Sequence, residues 1–299
     1  MKKHKICKIL LVILAILLCV AFYELLGICI AYKKQPEVSN TTKKETKNGS
    51  WNECSENTER AVIIEKNPEA LLQRVRLIKN AKKEIILSTF AFQSDESGKL
   101  ILGALHDAAD RGVHIRLLVD GMESWIDMEG NPYFYGLSSH ENVEIKLYNK
   151  ANPLKPWKMM GRMHDKYLIA DGKRYILGGR NTYNYFLGDF PGHKNYDRDV
   201  LVVCDEPEKE NSVNQLLEYF ETIWEQEDSD YFHDNKKLAN RKSVKNAVLE
   251  LQNGYQKYFE ENKERICDTD YTDETFETEK IALVSNPIHT GSKEPVVWY

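Results

Sequence analysis

Met163-His164-Asp165-Lys166-Tyr167-Leu168-Ile169-Ala170-Asp171, followed after six residues by Gly178-Gly179-Arg180-Asn181, is the stretch that decides how this chain is read. Its skeleton is H-x-K-x4-D-x6-G-G-x-N. Tyr167 to Ala170 is an apolar run suited to a buried strand that holds its polar flanks rigidly. Asp171-Gly172-Lys173 has the composition of a hairpin turn, and Arg174 to Leu177 then forms the returning strand. A hairpin of this kind brings His164, Lys166 and Asn181 to the same strand ends. His164 and Lys166 stand two apart, so they share one face of the sheet.

Those three side chains suit chemistry at phosphorus. A neutral imidazole can attack a phosphoryl centre, an ammonium can hold one non-bridging oxygen and a side-chain amide a second. Lys166 and Asn181 supply the electrostatics, so the reading calls for no metal or other cofactor. The competing reading is a hairpin with a histidine and a lysine at its surface. The G-G-x-N group at a fixed offset, set in a strand-turn-strand context, separates the two.

On these residues the chain resembles the phospholipase D superfamily, the HKD phosphodiesterases. Gly178-Gly179-Arg180-Asn181, with Tyr185-Phe186 shortly after, is most similar to the cardiolipin-synthase-like branch. The resemblance spans roughly residues 61 to 224. It implies a phosphohistidine formed on His164, phosphoryl oxygens held by Lys166 and Asn181, and substrate binding at Gly178 and Gly179. Asp171 is implied to pair with basic groups and shape the turn. Family members carry an acid that holds the catalytic imidazole at the start of a later strand. In Asn195-Tyr196-Asp197-Arg198-Asp199 that acid is Asp197, with Asp199 as the alternative. Two-lobed relatives carry the motif twice and this chain carries it once, so the resemblance implies a second half-site from another chain or from a homodimer.

Composition narrows the partners. Of the 299 residues 42% are hydrophobic and 10% aromatic, enough for a packed core. The net charge is −5, but residues 1–34 hold six lysines and one glutamate, leaving 35 basic and 45 acidic residues in the body. A body at −10 is poorly suited to non-specific binding of a polyanion, which argues against a nucleic-acid partner. No C-x-x-C pair occurs among the six cysteines, which disfavours a zinc site. Cys54, Cys204 and Cys267 allow one disulfide at most, and three unpaired thiols fit equally well.

In chain order, residues 1–34 form a basic start and a long apolar segment, read as a transmembrane helix with Glu24 near its outer end. A cleaved signal peptide, with Cys19-Val20-Ala21 at the cleavage point, is the rival reading. Flanking lysines on both sides leave orientation open by charge, and the short tail favours an extracytoplasmic body. Residues 35–60 read as a flexible linker. Residues 61–227 read as a phospholipase D-like lobe of class α/β, a mixed sheet flanked by helices on both faces. Strand-helix-strand units at its start predict a parallel core, and His114 and Arg116 are read as structural. The aromatic and methionine residues in 151–163 suit either a rim for acyl chains or packing under a loop. Residues 228–279 read as a charged helical bridge, and 280–299, with a strand over Lys280–Val284, as the start of an incomplete second lobe.

The function expected is that of a membrane-anchored phosphodiesterase or phosphatidyltransferase acting on phospholipids. A homodimeric single-motif nuclease and an inactive half of a two-lobed enzyme are the alternatives.

Overall fold

The computed structural model describes residues 2–33, 59–158, 161–204, 206, 211–233 and 235–285. The expected linker up to residue 58, Cys54, Met159, Met160 and residues 286–299 therefore lie outside the described residues. Helix α1 (Lys2–Lys33) contains the 27-residue apolar stretch His4–Ile30, long enough to cross a bilayer.

The lobe begins with β1 (Glu59–Ile64), α2 (Asn67–Asn80) and β2 (Glu84–Thr89). Pro68 sits in the first turn of α2, where its missing N–H costs nothing, with Glu69 beside it and Lys79 in the last turn. Next comes α3 (Glu96–Asp110), whose first turn is capped by Asp95 accepting from Gly98 N at 3.0 Å. Gly112, at φ +87°, turns the chain out of that helix. There follow β3 (His114–Asp120), the short helices α4 (Gly121–Asp127) and α5 (Pro132–Ser138), and β4 (Val143–Tyr148). After a long loop come β5 (Lys166–Ala170), β6 (Arg174–Gly178) and β7 (Asp199–Cys204), then α6 (Ser212–Trp224) and β8 (Ser229–Tyr231). The described lobe closes with α7 (Lys242–Glu261), α8 (Lys263–Cys267) and β9 (Phe276–Glu277).

All nine described strands join one sheet in the order β8-β4-β3-β2-β5-β6-β7-β1-β9. Only β2, β3 and β4 run parallel, and the other pairings are antiparallel. The sheet is therefore mixed, as expected, while the parallel core is limited to three strands. Alternation along the strands feeds two cores. Leu87, Leu117, Leu168 and Leu201 face α2, α3, α5 and α7, whereas Ile86, Leu118, Ile169 and Val202 face α6. Helices cover both faces.

The described residues of the segment 228–279, read as a charged helical bridge, pack on the lobe, and one expectation after it is corrected. Ser229–Tyr231 pair with Lys146–Tyr148 as an edge strand, and α7 buries Val244, Ala247, Leu251, Tyr255 and Phe259. Gly103 of α3 lets α7 approach so closely that an added Cβ would lie 2.7 Å from Leu251 O. Lys280–Val284 is not a strand: the segment is irregular, with Leu283 N donating to Gln215 Oε1 at 2.8 Å. Ile281 and Leu283 pack on the core under α6, so local alternation there reflects docking rather than pairing.

Candidate active site

The motif hairpin lies at the centre of the sheet, with β5 between β2 and β6. Asp171 and Gly172 take the left-handed φ values +54° and +62° that a tight I′-like turn needs. His164 precedes β5 and Lys166 opens it, at the end of the sheet where β2 finishes and β6 hands over to the G-G-x-N loop. Lys166 pairs across the ladder with Thr89, and Phe90 follows directly. Lys166 Nζ lies 3.0 Å from His164 Nδ1 and donates to His164 O at 2.7 Å. The Phe90 ring packs 4.5 Å from the imidazole and 5.4 Å from Nζ, so one aromatic ring borders both groups.

Electrostatics follow from this packing. The rim of His164 is exposed, yet the part of the ring against Phe90 is shielded. That partial burial, then the charges of Lys166 and Arg162, lower its pKa from the ordinary histidine value, with Glu123 opposing. Burial pushes the Lys166 ammonium down to about 8, against the pull of Asp165 and Asp197. The imidazole is thus held neutral near pH 7, while the ammonium keeps its charge there but gives it up far more readily than an ordinary lysine.

Asn181 is buried, and its Oδ1 accepts from Ala91 N at 3.2 Å. Thr182 N donates to Ala91 O at 3.0 Å. The G-G-x-N loop is in this way tied to the end of β2 beside Phe90, which brings Asn181 to the same end as His164 and Lys166. Gly178 and Gly179 serve the acids: a Cβ on Gly178 would lie 2.1 Å from Asp199 Oδ1, and one on Gly179 the same distance from Asp197 Oδ2. No larger residue leaves room for both carboxylates. Asp199 is committed elsewhere, paired with Arg74 at 2.8 Å and Arg180 at 3.3 Å in a fully buried cluster. Asp197 is half-buried, accepts from Arg198 N at 2.8 Å, and is the one whose charge reaches Lys166.

Asp171 stands at the opposite end of β5 from the histidine. Its carboxylate accepts from the backbone N–H groups of Lys82, Lys83 and Glu84, the shortest at 2.7 Å. The expected pairing with basic groups is replaced by backbone amides, because the turn faces the start of β2, where those donors await the ladder. Arg116 forms ion pairs with Glu84 and Glu221, and the His114 ring nitrogens lie 3.4 Å from Glu84 and 2.9 Å from Glu144.

Several residues at the site escaped the sequence reading. Asp120, buried at the end of β3, caps α4 through Met122 N and Glu123 N. It also accepts from Met163 N at 3.0 Å and from Arg162 Nε at 2.8 Å, fixing the residue before His164. Arg162 spans the Phe90 ring at 4.9 Å and pairs with Glu123 at 2.6 Å. Asp165 points to the other face, where Tyr219 OH donates to it at 2.8 Å. Burial raises the Asp165 pKa, with Tyr219 opposing. Asp120 ends an apolar run at the carboxyl end of a parallel strand, a position that could have flagged it. Arg180, the variable member of G-G-x-N, carries no such signal.

The family described as cardiolipin synthase, PLD-like domain, matches residues 74–224. An uncharacterized protein of Helicobacter pylori strain J99 is 30% identical over 212 residues, covering 66% of this chain and 39% of its own length. Cardiolipin synthase C of Escherichia coli strain K12 is 29% identical over 171 residues, covering 52% of this chain and 34% of the relative. Phosphatidylserine synthase of Haemophilus influenzae superposes with a TM-score of 0.48 at 17% identity, over 74% of this chain and 48% of that one. The chain spans about two fifths of the length of the first curated relatives it matches.

Proposed function

The chain belongs to the PLD-like family of cardiolipin synthases, in the phospholipase D superfamily, and from that membership we propose that it transfers or hydrolyses the phosphatidyl group of a membrane phospholipid through a phosphohistidine at His164. The observation that carries this reading is the placement of Lys166 Nζ 3.0 Å from His164 Nδ1, with Phe90 packed against both.

An ammonium only donates, so with Lys166 charged Nδ1 is the acceptor and the imidazole proton sits on Nε2. Attack from Nε2 requires that this proton leave and that Nδ1 be protonated instead. Both follow if Lys166 turns from Nδ1 to a non-bridging phosphoryl oxygen when substrate arrives. Asp197 is the carboxylate assigned to hold the Nδ1 proton and offset the charge of the imidazolium. Asn181 Nδ2 is the donor assigned to a second phosphoryl oxygen. In the first step the Nε2–P bond forms, the P–O bond to the leaving alcohol breaks, and an acid from a second half-site protonates that oxygen. Water or a lipid alcohol then takes the phosphatidyl group. Helix α1 is assigned as the membrane anchor that keeps the lobe at its substrate.

The test is turnover of fluorescent phosphatidylglycerol by full-length protein in vesicles, with the intermediate trapped and mapped by mass spectrometry. A phosphoryl group on His164, lost in His164→Ala together with turnover, is the expected result. Lipid turnover that persists in His164→Ala refutes the assignment. Cleavage of DNA with no lipid product points to the nuclease alternative.

A further inference from the structure

We propose that α4 and the loop residues 149–158 form a membrane-docking face, with Trp125, Ile126 and Leu154 seated in the interfacial layer of a phospholipid bilayer beside α1. This rests on the reading of α1 as a membrane anchor and adds to it the surface of the lobe that meets the lipid.

The side chains are conspicuously uncovered. Trp125 is 62% exposed, Ile126 66% and Leu154 78%. Ile63 and Phe276 are comparably exposed, but they lie at the β1–β9 edge, far along the sheet from β3 and β4. Trp125 and Ile126 follow β3, and Leu154 follows β4. Both stretches leave the carboxyl ends of parallel neighbours, the end that also carries His164. Gly121 packs against Asn149 O, where an added Cβ would lie at 2.4 Å, so helix and loop adjoin.

The loop is held in place rather than loose. Asn149 Nδ2 donates to Lys158 O at 2.6 Å and Gly161 O at 2.7 Å, and Lys158 pairs with Asp228 at 2.7 Å. Leu154 N is held by Asn152 Oδ1 at 2.9 Å. An exposed leucine on a braced tip is presented outward at a conformational cost already met by the fold.

Helix α1 supplies the depth. Tyr23 OH donates to Leu154 O at 2.8 Å, and Gly27, one turn on, lies so close to Pro156 that an added Cβ would meet Cγ at 2.4 Å. The apolar stretch ends at Ile30. At about 1.5 Å per residue, Tyr23 and Gly27 stand roughly 10 and 5 Å inside that end. An apolar face lying in a bilayer interface sinks about 5–10 Å below the headgroup boundary. The loop tip touching Tyr23 and Gly27 therefore falls in this layer once α1 spans the bilayer. Tryptophan and tyrosine favour the same layer. On α4 itself, Glu123 is paired with Arg162 and the Asp127 carboxyl is partly turned inward. Exposed Lys155 is placed to meet anionic headgroups. The occupant that fits is lipid, and the docked lobe opens its His164 end to the bilayer surface.

Full-length protein in phosphatidylcholine and phosphatidylglycerol vesicles, with or without brominated acyl chains, tests this without any need for catalysis. The emission lost in Trp125→Phe isolates Trp125 from the other four tryptophans. Leu154→Trp, made in that background, reports the loop tip. Both positions are exposed, so neither change threatens the core. Each contribution is expected to fall about twofold with brominated lipid, as interfacial burial requires, and to resist aqueous iodide. Quenching by iodide but not by brominated lipid, in a chain that resists alkaline extraction, overturns the docking face and leaves the anchor standing. Release by alkaline extraction overturns the anchor, and the docking face with it.

Discussion

At the scale of single residues, the pair His164 and Lys166 ties chemistry to pH. The His164 pKa lies below its ordinary value and that of Lys166 falls to about 8. With the roles proposed above, a neutral nucleophile and a charged phosphate-holding group coexist only between those two values. We expect kcat/KM for lipid to rise as His164 loses its proton, at a pH below the ordinary histidine value, and to fall again from pH about 8. Lys166→Arg keeps a charge at every working pH, so the residual activity of that variant is expected to lose the alkaline limb; a pH profile of both proteins checks this. Stability has its own sign. The folded-state pKa of Lys166 is depressed, so between about 8 and 10.5 the unfolded chain binds more protons and this residue's contribution to stability rises with pH. The two acids after the G-G-x-N loop separate in the same way. Asp199→Ala strands two buried guanidinium groups and is expected to cost about 3–5 kcal/mol in denaturant unfolding. Asp197→Asn is expected to unfold normally but to lose about 10²–10⁴-fold in kcat, as for a removed acid–base partner.

At the scale of elements, the hairpin joins two ends with different duties. Asp171 ties the turn to the start of β2 through three backbone donors, well away from His164. Asp171→Ala is therefore expected to lower stability by about 1–3 kcal/mol, read from thermal unfolding, with the kcat of the folded fraction unchanged. Gly179→Ala acts at the other end: its Cβ would collide with the Asp197 carboxylate at 2.1 Å. A loss near 10²-fold in rate with little loss of fold is expected, since small displacements at a reacting centre have that effect. The hairpin was legible because its signals are local: a turn sequence, an apolar run and fixed offsets. The strand-helix-strand start of the lobe was legible for the same reason, and β2 and β3 do run parallel. Strand β8 and the packing of α7 were not. A three-residue edge strand has too little alternation to read, and the apolar stripe of α7 is thinned by charge around Val244, Leu251 and Phe259. The anchoring of Met163 by Asp120 was equally hidden, because the contact spans 43 residues and only the β3–β5 arrangement creates it.

At the scale of the whole molecule, the sequence contains a single H-x-K, and the structure accounts for several of its other histidines. His106 and His140 lie edge to face and both reach Asp110, while His114 pairs with Glu84 and Glu144. His233 meets Tyr135 edge to face, and His193 lies tilted against Tyr185. None of these begins a second motif. Phosphoryl transfer needs its nucleophile and general acid on opposite sides of phosphorus, roughly in line. One sheet lobe presents its imidazole from one side only. We propose that the facing group belongs to a second half-site, a complementary chain or another copy set against the first across a two-fold axis. Pairing of two copies has to leave the His164 end open to lipid, a tighter demand than a partner built for that surface would face. We therefore expect the chain alone, as a monomer, to be inactive, and activity to return with a complementary half-site. The measurement is turnover of fluorescent phosphatidylglycerol by detergent-solubilised protein whose mass is determined by light scattering in the same sample. Activity confined to dimer-mass fractions favours self-pairing, and activity only after a partner is added favours a complementary chain. Sustained turnover at monomer mass means that one lobe supplies both proton-transfer groups, and the need for a second half-site falls.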